Sequence, residues 1–315
     1  ILGDPSLDDY GVVIFDEFHE RSLVADTGLA LALEVQKALR PDLRLLVMSA
    51  TLDAAAVSRL LGDAPLVECA GRTFPVDVSY SPPGKTPWLD HAAHLVRQAL
   101  PGTDGSVLVF VPGHREMHRL LALLDGTLPS DCRLYALAGS LSPAAQDQVL
   151  GVEPDGARKV VIATAVAETS LTIPGIRLVI DGGYQRLPVF DFGAGMGRLV
   201  TRRVSRAAAD QRAGRAGRQA PGQAIRLWPA SEVLAAHTPP EILSADLCAL
   251  VLDLAEWGCR DPAQLDWLDV PPAPAWQQAR SVLEMLGLLD GSGALTDLGR
   301  RCRRLPLHPR LARML

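Results

Sequence analysis

An α/β fold is what this 315-residue sequence predicts: two parallel-sheet units followed by a mainly helical module. Three observations carry that expectation. Short, flatly apolar runs recur through the first two-thirds of the chain. Stretches of helical period alternate with them. After about residue 230 the apolar runs stop while the helical patterns continue.

Taken in order, strands are expected at 12–15, 43–48, 107–111, 160–163 and 178–180. A run that is apolar throughout, rather than alternating, suits a parallel sheet covered on both faces. Helices are expected between them at 23–39, 53–61, 90–100, 114–124 and 142–150. Gly71, Pro75, Pro82, Pro83, Gly84 and Pro87 cluster in one stretch, which reads as a linker between the two units. Residues 187–204 place apolar positions on either side of Gly193-Ala194-Gly195, the pattern of a β-hairpin with a glycine turn. Helical patterns at 241–257 and 275–289 lead into a tight-hairpin pattern at 288–296, Leu-Leu-Asp-Gly-Ser-Gly-Ala-Leu-Thr. Helix, helix and tight hairpin make the pattern of a small winged-helix module.

Composition removes several classes of function. Apolar residues make up 48%, too many for a disordered chain. No apolar run approaches the roughly 18 residues of a membrane-spanning helix, and no signal peptide opens the chain. Its first residue is Ile1 rather than Met, so a piece of a longer protein is expected. Cys69, Cys132, Cys248, Cys259 and Cys302 never fall at C-x-x-C spacing, which argues against a zinc site or disulfide framework and fits a reducing cytoplasm. The net charge of −5 hides strong local differences. Residues 195–218 hold seven arginines against one aspartate, and residues 298–315 hold six arginines and no acid. A polyanion responds to such zones rather than to the average.

Three segments could carry chemistry. Asp16-Glu17-Phe18-His19 follows the first expected strand, where open α/β sheets place ligand chemistry. An aspartate there can hold Mg²⁺ through water, and a glutamate beside it can orient and deprotonate an attacking water. An isolated Asp-Glu, however, reads as a pair of acids on a solvated strand end. Ser49-Ala50-Thr51 follows the second run, and alone it is a strand-to-helix turn with hydroxyls for capping. In Gln211-Arg212-Ala213-Gly214-Arg215-Ala216-Gly217-Arg218, helical spacing puts Gln211, Arg215 and Arg218 on one face. Arginines so spaced, with glycines that let a phosphate chain approach, can clamp a triphosphate. The bland alternative is a solvated basic helix face, which glycines at 214 and 217 make less comfortable.

The order of these segments is more specific than any one of them. Asp-Glu-Phe-His, then Ser-Ala-Thr 33 residues on, then residues 163–173 (Ala-Thr-Ala-Val-Ala-Glu-Thr-Ser-Leu-Thr-Ile), then the Gln-Arg segment resembles the motif series of DEAH-box ATP-dependent RNA helicases. Phe18, the Glu20-Arg21-Ser22-Leu23 continuation and residues 257–264 resemble the bacterial HrpB-type subgroup. The resemblance implies two RecA-like domains, the first represented by its second half at 1–71 and the second at 72–230. A winged helix at 231–299 and the start of a helical ratchet domain at 300–315 would follow. It implies ATP and Mg²⁺ as cofactors, RNA as partner, and a nucleotide between the two α/β units. Asp16 and Glu17 would handle Mg²⁺ and the water, and His19 would couple the nucleotide to the second domain. Gln211, Arg215 and Arg218 would reach the nucleotide, the arginines as fingers. Ser49, Thr51 and Ser170 would serve coupling, Thr164 would touch the RNA backbone, and the hairpin would separate strands.

The sequence departs from the family pattern at two positions. Ala165 stands where the family has Asn and Pro174 where it has an acid, so no contact is assigned to either. Gly84-Lys85-Thr86 is not a phosphate loop: Ser79 replaces the required first glycine, and Pro82 and Pro83 lack the N–H groups of an anion nest. It also lies after the Asp-Glu strand, and no Gly-Lys-Ser/Thr precedes Asp16, so the chain alone is expected to bind nucleic acid without turning over ATP. His91, His94, His114 and His118 read as solvated helix faces, and Trp228, Trp257, Trp267 and Trp276 as core. Arginines at 300–304 suit an RNA-facing patch and a solvated helix equally. Besides the helicase, an RNA–protein remodelling ATPase and a scaffold with decayed catalysis are the other readings. Intact Asp16, Glu17, Arg215 and Arg218 argue against the scaffold.

Overall fold

Strands and helices follow one another as the apolar runs suggest. The computed structural model describes residues 1–50, 54–69, 71, 74–168, 171–191 and 193–315. The chain opens with β1 (Val12–Phe15), α1 (Leu23–Ala38), β2 (Arg44–Val47) and α2 (Ala54–Leu60). Next come β3 (Val76–Tyr80), α3 (Trp88–Ala99), β4 (Ser106–Phe110), α4 (His114–Leu124), β5 (Cys132–Leu137), α5 (Pro143–Leu150), β6 (Arg158–Ala163) and β7 (Ile176–Asp181). The hairpin strands β8 (Tyr184–Asp191) and β9 (Met196–Arg203) lead to α6 (Arg206–Gly214) and β10 (Gly222–Arg226). Four helices end the chain: α7 (Cys248–Trp257), α8 (Ala273–Met285), α9 (Asp297–Arg303) and α10 (Pro309–Ala312). Two compact units result: residues 1–68 with 188–198 and 239–315, and residues 69–187 with 199–238.

The second unit holds a six-stranded parallel sheet in the order β3-β10-β7-β4-β6-β5. Its central strands β4, β6 and β7 are the three apolar runs read from sequence, buried almost throughout. Covering both faces removes each Val, Leu or Ile from water, worth roughly 1.5–3 kcal/mol per side chain. The stretch read as a linker is corrected here: Val76–Tyr80 is an edge strand, paired with β10 and largely exposed. At an edge only one neighbour and one covered face are needed, so its Val-Asp-Val-Ser-Tyr sequence lacks the continuous apolar signal. The other edge strand, β5, escapes the sequence reading for the same reason. Gly84-Lys85-Thr86 lies in an exposed turn, where the Thr86 N–H donates to the Pro83 carbonyl.

In the first unit β1 and β2 pair in parallel. Phe15, Leu45 and Val47 pack with Leu29 and Leu33 of α1. Among the described residues Val12, Ile14 and Leu46 of this pair are each about half exposed, at 47%, 53% and 46%. An apolar strand still alternates its side chains, and among the described residues a covering layer packs on one face only. Helix α1 is buried on two sides, because Ala30 and Leu31 join the core of α7 and α8 around Leu254, Trp276 and Leu283. The hairpin expected at 288–296 is reduced to one antiparallel bridge between Leu289 and Leu295. No helix of the described residues is long and apolar enough to cross a membrane.

Candidate functional site

Asp16 and Glu17 emerge at the carboxyl end of β1. Asp16 is exposed, and its Oδ1 accepts the Glu17 N–H at 2.8 Å. Glu17 takes a left-handed backbone (φ 49°, ψ 34°), a conformation that costs a non-glycine residue about 1–3 kcal/mol. That turn drives Phe18 into the core, 1% exposed, and lets its N–H donate to the Met48 carbonyl at 3.0 Å. Burying Phe18 anchors the strain. His19 Nδ1 then lies 3.5 Å from Glu17 Oε2 and receives the Ala50 N–H at 3.4 Å. The Asp-Glu-Phe-His and Ser-Ala-Thr segments, 33 residues apart in sequence, therefore meet through one imidazole. Ser49 lies exposed in the same turn. Thr51 falls outside the described residues.

Behind this turn sits a residue of the Glu20-Arg21-Ser22-Leu23 continuation to which the sequence assigns no role. Arg21, 7% exposed, donates to both oxygens of Asp26 at 2.9 and 3.1 Å and to Asp269 at 2.6 Å. Burial raises the Asp26 pKa, against the pull of Arg21. Arg21 also takes a left-handed backbone, and its carbonyl accepts the Glu241 N–H. The strained turn is thus tied to the helical part of its own unit. A buried arginine beside a left-handed glutamate has no sequence signature beyond its position after the motif.

In the second unit the basic segment does not form one continuous helix. Helix α6 ends at Gly214, and Arg215–Gly217 wind into a 3₁₀ turn. The continuous-helix expectation is therefore corrected, although Arg215 and Arg218 still reach one acceptor, the Leu171 carbonyl, at 2.7 and 3.4 Å; Gln211 is half-buried, Arg215 buried and Arg218 exposed. Close packing at Gly217 accompanies the break, while Gly214 has room for a side chain. A Cβ at Gly217 would come 2.5 Å from the Phe74 carbonyl oxygen, so only glycine lets the turn pack against that strand's approach. Arg215 Nη1 donates to the Leu171 carbonyl at 2.7 Å and Nη2 to the Glu168 carbonyl. Arg218 Nη1 donates to Thr172 Oγ1 at 2.5 Å. Both arginines are thereby held against the loop after β6. Thr164 starts that loop, half-buried, with its N–H on the Leu137 carbonyl at 3.1 Å. Ser170 lies outside the described residues.

Arg212 is the buried member of the segment. Its side chain is 1% exposed, donates to Asp181 at 2.7 Å and to Glu168, and stacks 4.9 Å from the Phe110 ring centre. Burial raises the Glu168 pKa while Arg212 pulls it back. Removing one partner from such a group strands the others in a dry interior. Arg212→Ala is expected to destabilise the fold by about 3–5 kcal/mol, read by urea unfolding, with Arg212→Met costing no less. A loss under about 1 kcal/mol would show that water replaces the guanidinium.

The basic zones are less free than a linear count suggests. Arg203 pairs with Glu232 and lies over Tyr184 and Trp228, and Arg303 pairs with Asp253. Arg198, Arg202 and Arg206 remain exposed around the hairpin and its exit, as do Arg301 and Arg304 further on. His94, His114 and His118 are exposed, as expected of solvated helix faces. Half-buried His91 instead bonds to Ser81. Trp228, Trp267 and Trp276 are buried.

Residues 90–220 match the model of the helicase conserved C-terminal domain. Over 318 aligned residues the chain is 47% identical to ATP-dependent RNA helicase HrpB of Escherichia coli (strain K12), covering 100% of this chain and 39% of that protein. Solved structures agree: one titled E. coli DExH-box NTPase HrpB superposes with a TM-score of 0.89 at 47% identity. Another, titled Escherichia coli DEAH/RHA helicase HrpB, gives 0.92 at 46% identity, and each covers 100% of this chain. Along its whole length the chain is similar to HrpB-type DEAH-box helicases. It spans about two-fifths of the length of the relatives it matches.

That similarity accounts for the parallel sheets as RecA-like folds. The matched domain ends at residue 220, so the helical residues 239–315 lie beyond it. Within this chain the candidate sites form two local constellations. One is the β1 turn with its imidazole link to Ala50. The other is the arginine segment bound to the loop after β6.

Proposed function

We propose that the protein containing this chain is an ATP-dependent RNA helicase, coupling nucleoside-triphosphate hydrolysis to movement along RNA. The observation that carries the reading is the β1 turn, in which Glu17 is held in left-handed backbone with His19 Nδ1 at 3.5 Å and Ala50 on the same nitrogen. A carboxylate held by main-chain geometry at a strand end is suited to orient a water and accept its proton. Asp16, exposed and already fixed through Oδ1, fits a water-mediated Mg²⁺ contact through its other oxygen. Magnesium would supply charge neutralisation on the phosphates. Arg218 and Arg215 present guanidinium groups suited to the charge of a transferring phosphoryl group. His19, Ser49, Thr51, Gln211 and Ser170 transmit the nucleotide state, and Thr164 holds an RNA phosphate. The domain scheme of 1–71, 72–230, winged helix 231–299 and ratchet start 300–315 belongs to the same reading.

RNA affinity in the full-length protein should fall steeply with salt, because arginine–phosphate contacts release counterions. Replacing Arg202 and Arg206 by Ala should flatten the slope of log affinity against log salt by about one for each phosphate no longer neutralised, roughly equally for unrelated RNA sequences. Filter binding between about 50 and 300 mM KCl, a range in which the counterion effect is large, measures it. An unchanged slope would remove the hairpin exit from the RNA path.

A further inference from the structure

In the first unit the tip of the hairpin is seated on the last helix. Arg310, at the start of α10, donates from Nη1 to the Gly195 carbonyl at 2.5 Å. Its guanidinium carbon lies 5.8 Å from the centre of the Phe190 ring. On the same strand the Phe190 N–H donates to the Ser244 carbonyl at 3.0 Å. Gly195 has φ +63°, and a Cβ there would collide with Arg310 Nη1. The turn residue is therefore required twice, once for the backbone and once for the arginine.

Arg310 is itself held. His308 caps α10, its Nδ1 accepting the Arg310 N–H at 3.2 Å. With Nδ1 so used, Nε2 carries the proton and donates to Asp246 Oδ2 at 3.0 Å. Asp246 Oδ1 accepts the Cys248 N–H at 2.7 Å at the start of α7. Burial pushes the Asp246 carboxyl up, yet His308 and Cys248 hold it at about 2. Asp246, Cys248 and His308 bring potential ligand atoms within 4.8 Å of one another. Both imidazole nitrogens are already used in hydrogen bonds, which makes the cluster a fastening of α10 to α7.

We infer that Arg310 is a positioning residue: fastened by His308 and Asp246, it locks the hairpin tip in place, so that the tip can act on RNA as a rigid element. This rests on the helicase reading for its consequence and on geometry alone for the docking. The guanidinium suits both contacts at once, a planar face for Phe190 and a fork for the carbonyl, whereas lysine can reach only the carbonyl.

The test is hydrogen exchange in the full-length protein, comparing wild type with Arg310→Ala, Arg310→Lys and Gly195→Ala. Arg300→Ala, on an exposed residue paired with Asp297, serves as control. Exchange at peptides covering 186–199 should rise about tenfold in R310A and G195A, rise less in R310K, and stay unchanged in the control, with β6 protected throughout. In parallel, duplex unwinding per ATP consumed should fall at least about fivefold in R310A, while RNA-stimulated turnover stays within about twofold. Unchanged exchange in both R310A and G195A overturns the docking. Raised exchange with normal unwinding overturns the positioning role. A wild-type protein that hydrolyses ATP without unwinding would count against the helicase reading, while the exchange arm still decides the docking.

Discussion

Glu17→Gln in the full-length protein is expected to cut RNA-stimulated ATP turnover by about 10²–10⁴-fold while ATP still binds. Gln keeps the size of the side chain and leaves untouched the bond from the Glu17 main-chain N–H to Asp16 Oδ1, so the left-handed turn survives. What it loses is basicity at the one atom argued to accept a proton. Because the Glu17 side chain is 31% exposed, the change should cost the fold no more than about 0.5 kcal/mol. A melting curve beside the turnover assay separates the two effects. His19 adds a check: with Gln at 17 the imidazole loses its charged neighbour but keeps the Ala50 N–H, so the junction between the two segments stays closed. Undiminished turnover with intact folding would strip Glu17 of the role.

Where burial is continuous, sequence and structure agree closely. The β4, β6 and β7 runs are legible because a central parallel strand must be apolar on both faces, which leaves little else the chain can do. Helix starts are legible through their caps: Ser22 and Ser142 accept the N–H groups of Ala25 and Ala145, as hydroxyls before a helix should. Edges are not legible. Val76–Tyr80 sits among prolines and glycines and exposes most of its side chains, so its pairing with β10 is decided by main-chain bonds that side-chain patterning does not record. The candidate site divides in the same way. Asp16, Glu17 and the arginines stand out because they form short motifs in a fixed order. The ion pairs of Arg21 with Asp269 and of Arg212 with Asp181 do not, because each is assembled from distant parts of the chain. Arg21 reaches Asp269, and Arg212 reaches Asp181 and Glu168, over separations that only a folded chain closes. The break of α6 at Gly214 is a matter of tertiary packing overriding helical spacing.

That break predicts different fates for two arginines that look alike in sequence. Arg218 is exposed and touches Thr172, so Arg218→Ala removes a charge from solvent and leaves the fold within about 0.5 kcal/mol of wild type. If its guanidinium neutralises the transferring phosphoryl group, turnover falls by about 10³–10⁵-fold all the same. Arg215 is 6% exposed and supplies donors to the carbonyls of Leu171 and Glu168. Arg215→Ala should therefore lose turnover and also about 1–3 kcal/mol of stability, since the Glu168 carbonyl loses this donor and the Leu171 carbonyl keeps only the longer bond from Arg218. Lysine separates charge from geometry. At 218 a single ammonium can keep part of the phosphate attraction, whereas at 215 it cannot span two carbonyls, so R218K should regain more turnover than R215K. Paired urea unfolding and single-turnover ATP hydrolysis of the four variants decide it. A fall below about tenfold in R218A, with the fold intact, would move the charge-stabilising role off Arg218. An R215A variant as stable as wild type would show that the loop after β6 finds other donors.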